Sequence, residues 1–227
     1  MSRIVLITGA NRGIGLGLAR SLAQDGDRVV ATGRRPDALR AALDGVPADI
    51  RTLDVTDPAS AAALAEQLRA EYGHLDVLVN NAAINYDPDV QAVTADLDTV
   101  RDTLGTNLFG VWQVTQALLP LLRRSAHPRI VNVSSESGSF HSEYAVDSPG
   151  YSVSKAALNM LTKTLAHELT SARFLVNAVC PGWIATDMGG PGGGPLAEGV
   201  ASVAWAVRLP DGGPTGGFFR HGQPLPW

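Results

Sequence analysis

Little in this chain could cross-link it covalently or hold it in a bilayer. It has one cysteine, Cys180, so no internal disulfide can form, which fits a reducing compartment. No stretch approaches the roughly 20 apolar residues needed to cross a membrane. The amino terminus, MSRIVLITGA, has no long apolar region followed by a cleavage site. The formal net charge is −4 and no basic block occurs, which argues against nucleic acid as a partner. His74, His127, His167 and His221 have no metal-ligand spacing with one another or with Cys180, and His141 reads as a solvated loop residue. No internal repeat or linker is visible. These absences predict a cytoplasmic protein without a membrane or nucleic-acid partner, in one domain spanning 1–227.

What the chain does have is alternation. Short β-rich runs at 4–8, 28–32, 49–55, 75–83, 129–135 and 173–180 are separated by helical patterns at 12–26, 57–73 and roughly 97–124. A further helix begins near Tyr151, with Leu158, Leu161, Leu165 and Leu169 forming one apolar stripe. Asp57 reads as an N-cap, with Pro58 at the first helical position. Strands that lack strict polar alternation are buried on both faces. The pattern therefore predicts an α/β fold: one doubly wound parallel sheet of Rossmann type, with helices on both faces. The run GGPGGGP (189–195) reads as a mobile loop, and TGGFF (215–219) as a last short strand.

TGANRGIG (8–15) follows the first strand and opens the first helix. Glycines at such a turn let backbone approach a pyrophosphate at a helix N-terminus. The same glycines can also serve simply as a tight turn. The second strand ends in Gly33-Arg34-Arg35. An acidic residue in that region would suit the ribose of NAD, whereas arginine forks suit a 2′-phosphate. Arg34 and Arg35, which Arg12 could join, therefore favour NADP(H) over NAD(H), although Arg34 and Arg35 could be solvated loop charges and Asp37 lies nearby.

Tyr151 and Lys155 are four apart, one helical turn. The pair reads either as ordinary packing or as proton chemistry, because an ammonium one turn away lowers a phenol's pKa. Seen with the rest of the chain, this pair completes a pattern: TGANRGIG, LDVTD (53–57), NNAA (80–83), Asn107 in TNLFG, VNVSS (131–135), Tyr151-Ser-Val-Ser-Lys155 and CPGWIATDM (180–188). In this order the motifs resemble the short-chain dehydrogenase/reductase family over nearly the whole chain. The tail GGFFRHGQPLPW (216–227) resembles the carbonyl-reductase branch.

The resemblance implies roles. Gly9, Asn11, Arg12, Gly13, Ile14 and Gly15 would hold the cofactor diphosphate end, with Arg34 at the 2′-phosphate. Asp54 would contact adenine, with Val55 beside it. Asn80 would brace the central strands, while Asn81 and Ala82 pass the cofactor. Pro181, Gly182, Ile184 and Thr186 would hold the nicotinamide end. Tyr151 would be the acid–base group and Lys155 would lower its pKa and bind the ribose. Ser135 would steady the substrate oxygen, and Asn107 would complete a proton relay through water and Lys155.

Many family members place the serine thirteen residues before the tyrosine. Here that position is Gly138, and Ser135 lies sixteen before, as if three residues were inserted; Ser137 is the alternative. The expected reaction is reduction of a ketone or aldehyde to an alcohol, or its reverse. A dehydration or epimerisation on the same fold, or a dinucleotide-binding regulator without turnover, are the competing readings. The partner is a small carbonyl or alcohol molecule. Phe140, Tyr144, Trp183 and Met188 suggest an apolar or mixed pocket, with Trp183 equally readable as core. The tail leaves monomer, homodimer and homotetramer open.

Overall fold

The computed structural model describes residues 2–84, 89–142 and 148–227. Tyr144 and parts of the expected pocket segments lie outside these described residues. The strands are β1 (Ile4–Ile7), β2 (Arg28–Gly33), β3 (Ala48–Thr52), β4 (Val77–Asn80), β5 (Arg129–Val133), β6 (Leu175–Val179), β7 (Phe218–Arg220) and β8 (Gln223–Pro224). They form one eight-stranded sheet in the order β3-β2-β1-β4-β5-β6-β7-β8. All neighbours pair in parallel except β7 and β8, which form a terminal antiparallel hairpin.

The helices are α1 (Gly13–Gln24), α2 (Pro36–Ala42), α3 (Pro58–Glu71), α4 (Leu97–Leu104), α5 (Val111–Leu122), α6 (Pro149–Glu168) and α7 (Leu196–Val207). Successive strand residues point to opposite faces of a sheet. Ile4 and Leu6 of β1 accordingly join one core, with Leu64, Leu118 and Leu158 from α3, α5 and α6. Val5 and Ile7 join the other, with Leu18 and Leu22 of α1 and Val203 and Val207 of α7. All four residues of β1 are buried, the reason its sequence does not alternate. The Asp57 cap is present: its carboxylate accepts from the Ala59 N–H at 2.9 Å.

The order reverses between β1 and β4, which opens a crevice at the carboxyl ends of the strands. The polar side chains of the central strands pair across the sheet interior. Asn80 Nδ2 donates to Thr115 Oγ1 at 3.2 Å and to Asn132 Oδ1 at 2.9 Å, and Asn132 Nδ2 donates to Thr162 Oγ1.

Three local expectations need correction. The helix expected over 97–124 is broken into α4 and α5 by a π-helical segment, Gly105–Gly110. The widened turn carries Asn107 inward, where Ile84 supplies both a donor and an acceptor. The short helix α2 was not foreseen. The glycine-rich run holds more structure than its composition suggests. Ala185 N–H donates to Gly194 O, Gly194 N–H to Trp183 O and Gly190 N–H to Thr186 O, at 2.9, 2.8 and 2.8 Å. A Cβ added at Gly193 would stand 2.3 Å from the Ile184 carbonyl carbon. Glycine there permits close folding of the loop onto itself.

Candidate active site

One cleft of about 970 Å³ follows the carboxyl ends of the central strands. At one end lie Gly9, Asn11, Arg12, Gly13 and Ile14, then Arg34, Arg35, Asp54 and Val55. Asn81 and Ala82 line its middle. At the other end lie Ser135, Tyr151, Lys155, Pro181, Gly182, Ile184 and Thr186. Two expected site residues stand behind the wall. Gly15 is buried in α1, and Asn107 is fully buried.

The first end is built for an anion. Asp57 and Asp96 cap α3 and α4 with their side chains, but α1 has no side-chain cap and no acidic residue in its first turn. Its first N–H groups are thus left without a side-chain acceptor, the arrangement that suits phosphate, and Arg12 at the N-cap position is paired with Asp187 beside it. Asn81 braces the turn by donating to Thr8 O and Gly9 O at 2.9 and 3.1 Å. Arg12 reaches across the cleft to Asp187, 2.9 Å away. Asp54 accepts from the Thr56 hydroxyl at 2.7 Å and the Thr56 N–H at 2.9 Å. These bonds hold its carboxyl below the usual range, outweighing partial burial, and nearby Arg34 adds to them.

The second end gathers the deeper groups, with Lys155 buried and Ser135 and Tyr151 half-buried. Ser135 ends β5's continuation and caps a 3₁₀ turn over Glu136–Gly138. Its hydroxyl hydrogen-bonds the Tyr151 phenol and also lies 3.2 Å from Ser137 Oγ. This contact selects Ser135 over Ser137 as the neighbour of Tyr151. Gly138 explains the shifted spacing. A Cβ there would fall 2.5 Å from the Lys155 carbonyl carbon and 2.6 Å from Ala156 N. The turn is pressed against the α6 backbone, so no side chain fits at the position where many relatives carry serine.

Burial pushes the Tyr151 phenol well above its usual value, with Cys180 adding to the rise and the Ser135 bond opposing it. This is the opposite of the lowering expected from Lys155. The reason is geometric: Lys155 Nζ donates to Val133 O at 2.8 Å and lies 5.4 Å from the centre of the Tyr151 ring. Burial outweighs any help from it. The ammonium itself is destabilised by burial, and its pKa is pushed down to about 8. The Asn107 side chain is taken up by other partners. Its Nδ2 donates to Ile84 O at 2.9 Å and Ser154 Oγ at 3.0 Å.

Among the apolar candidates, Met188 and Trp183 line the cleft, whereas Phe140 does not. Trp183 is 69% exposed, which removes the core reading; its indole N–H donates to Gly189 O at 2.7 Å. Sequence reasoning missed Glu136 and Arg220, which face the cleft as an ion pair. Arg220 lies far along the chain in the tail, and no local motif marks it.

A doubly wound sheet with a phosphate-accepting turn at one end of its crevice and a serine, tyrosine and lysine at the other defines an oxidoreductase of the Rossmann class. The family model for short chain dehydrogenases matches residues 3–192, and the chain belongs to the short-chain dehydrogenase/reductase family, in its carbonyl-reductase-like branch. The mouse protein "Carbonyl reductase [NADPH] 3" is 33% identical, with 92% of each chain covered. The NADPH-bound carbonyl reductase from chicken fatty liver superposes with a TM-score of 0.89 at 31% identity, covering 100% of this chain and 99% of that one. The carbonyl reductase Sniffer of D. melanogaster gives 0.91 at 28% identity over the full length of both. No helix among the described residues is long and apolar enough to cross a membrane.

Proposed function

We propose that this chain is an NADP(H)-dependent reductase of ketones or aldehydes, acting in the cytoplasm as a single domain over 1–227. The observation that carries the reading is that Ser135, Tyr151 and Lys155 line one cleft together, with Arg12, Arg34 and Arg35 lining its other part. The first turn of α1, without a side-chain cap, fits the diphosphate. Arg34 and Arg12 fit a 2′-phosphate, and the mouse and chicken relatives are by name NADPH enzymes.

When bound, NADPH supplies the hydride; the chain supplies position and a proton. Pro181, Gly182, Ile184 and Thr186 would hold the nicotinamide end. Ser135 donates to the carbonyl oxygen and steadies the charge that develops there. Tyr151 gives its proton to that oxygen. Its raised pKa keeps the phenol protonated at neutral pH, which suits it as the donor in reduction. Lys155 holds the nicotinamide ribose. With the Asn107 side chain occupied, only its main chain is left for a water-borne relay to Lys155.

The test is turnover of a panel of ketones, aldehydes and quinones with NADPH and with NADH, in the wild type and in Arg34→Gln. NADPH is expected to be preferred, and the variant to lose about tenfold of that preference, the scale of a charge-assisted bond. Turnover with NADH alone would remove the role given to Arg34. No turnover of any carbonyl despite cofactor binding would overturn the reductase reading.

A further inference from the structure

We infer that Arg220, held by Glu136, selects substrates that carry a carboxylate near the carbonyl. This rests on the reductase reading and adds a substrate class to it.

The first observation is where Arg220 stands. The β6–β7 pairing aligns Ala178 with Phe218 and Val179 with Phe219, and Cys180 N–H donates to Phe219 O. Arg220 therefore emerges at the carboxyl end of the sheet, beside Cys180. Its Cδ lies 3.9 Å from where a Cβ on Gly182 would be, which puts the stem over the nicotinamide-end segment. Glu136 follows Ser135 directly. Its Oε2 is 3.8 Å from Cys180 Sγ and accepts from Arg220 Nη1. Both side chains line the cleft together with Tyr151.

The second observation is the unused part of the fork. Two structural arginines bond through all three nitrogens. Arg3 bonds Asp27 through Nε and Nη2, and Val207 O through Nη1. Arg129 bonds Leu209 O, Pro128 O and Asp211 through all three nitrogens. Among the described residues Arg220 uses only Nη1; its Nε and Nη2 make no hydrogen bond to protein. Arg12, Arg40 and Arg101 also bond through one nitrogen each, but Arg40 and Arg101 lie on exposed helix surfaces and Arg12 stands at the glycine turn, whereas Arg220 stands over Gly182 in the cleft that Tyr151 lines.

The third is rigidity. The turn after Arg220 is pinned: His221 N–H donates to Ser202 Oγ at 2.9 Å, and Ser202 Oγ donates to Cys180 O. Phe219 packs on Trp205, with ring centres 4.9 Å apart. A guanidinium oriented by one carboxylate on a fixed support presents its remaining edge ready-made. That edge matches the bidentate geometry of a second carboxylate. A cation is disfavoured, since Arg220 already occupies Glu136. A dianion is disfavoured by Glu136 itself.

The experiment compares 4-carboxybenzaldehyde, its methyl ester and 4-(trimethylammonio)benzaldehyde with NADPH. The acid is expected to exceed the ester in kcat/KM by about tenfold, the scale of a charge-assisted bond. Arg220→Gln should erase that ratio with a much smaller loss on the ester, and Arg220→Lys should restore part of it. An unchanged Tm and NADPH affinity show that the variants are folded. Calorimetry of the NADPH-saturated protein with 4-carboxybenzyl alcohol and its methyl ester, a pairing with no hydride acceptor, reads the same ratio without turnover. If the binding ratio stands while no aldehyde is reduced, the reductase reading falls and the anion site remains. Equal losses on acid and ester, no preference in the wild type, or a preference for the cationic aldehyde would overturn the role of Arg220.

Discussion

The two ends of the cleft are built differently. The end toward Arg34 comes mostly from chain-local turns after β1, β2 and β3, and its groups are polar and open: Arg12 keeps a side-chain exposure of 57%, and its ion pair with Asp187 joins it to the other end. The end toward Tyr151 is assembled from four distant segments, around 135–138, 151–155, 180–189 and 220. Lys155 there is only 2% exposed, and Ser135 and Tyr151 are half-buried. Solvent screens the first end, so single charges there should act weakly and additively. In the second, position and desolvation dominate, and a displacement of an ångström is costly.

That contrast can be tested by substitution. The larger effect is expected at Gly138. Gly138→Ala forces a methyl into the α6 backbone and moves Ser135 away from Tyr151, so kcat should fall about 10–100-fold. The same overpacking should cost about 1–3 kcal/mol of stability, read as a lowered Tm. NADPH affinity should fall less than kcat, because only the Lys155 contact of the cofactor site lies against the added methyl. An unchanged kcat would mean that the contact between the turn and α6 does not set the alignment.

A smaller effect should come from pH. Lys155 has a folded pKa pushed below its ordinary value, to about 8. Its ammonium is therefore present below that pH and lost as pH rises through it. If the charge is what holds the ribose, kcat/KM for NADPH should fall about tenfold per pH unit above about 8. The raised phenol of Tyr151 adds no second limb between pH 7 and 9. Lys155→Arg should move the decline upward, since a guanidinium stays charged. A flat profile from pH 7 to 9.5 would detach Lys155 from cofactor binding.

The same contrast explains what the sequence could convey. The glycine turn, the Asp57 cap, the buried strands and the Tyr151–Lys155 pair are spaced by local geometry, so short stretches of sequence carry them. The π segment at 105–110 depends on Asn107 meeting Ile84, a contact made only in the folded chain. The Gly138 position becomes intelligible once the turn is seen against α6. Arg220 needs β7 placed beside β6 before it meets Glu136, 84 residues away. The direction of the Tyr151 shift was misjudged for a related reason: four-residue spacing reveals the neighbour but not the burial that outweighs it. The closing of the 183–194 loop was hidden by its glycines, which look like freedom in a sequence and serve close packing here.

The central claim is that Tyr151 is the proton donor, and that its hydroxyl serves turnover rather than cofactor binding. Tyr151→Phe tests it most directly, with NADPH affinity and turnover measured on the same preparation. The account predicts that turnover falls at least about 10³-fold, within the range for loss of a general acid, while the dissociation constant for NADPH changes by less than about threefold. Turnover that survives the substitution would contradict it.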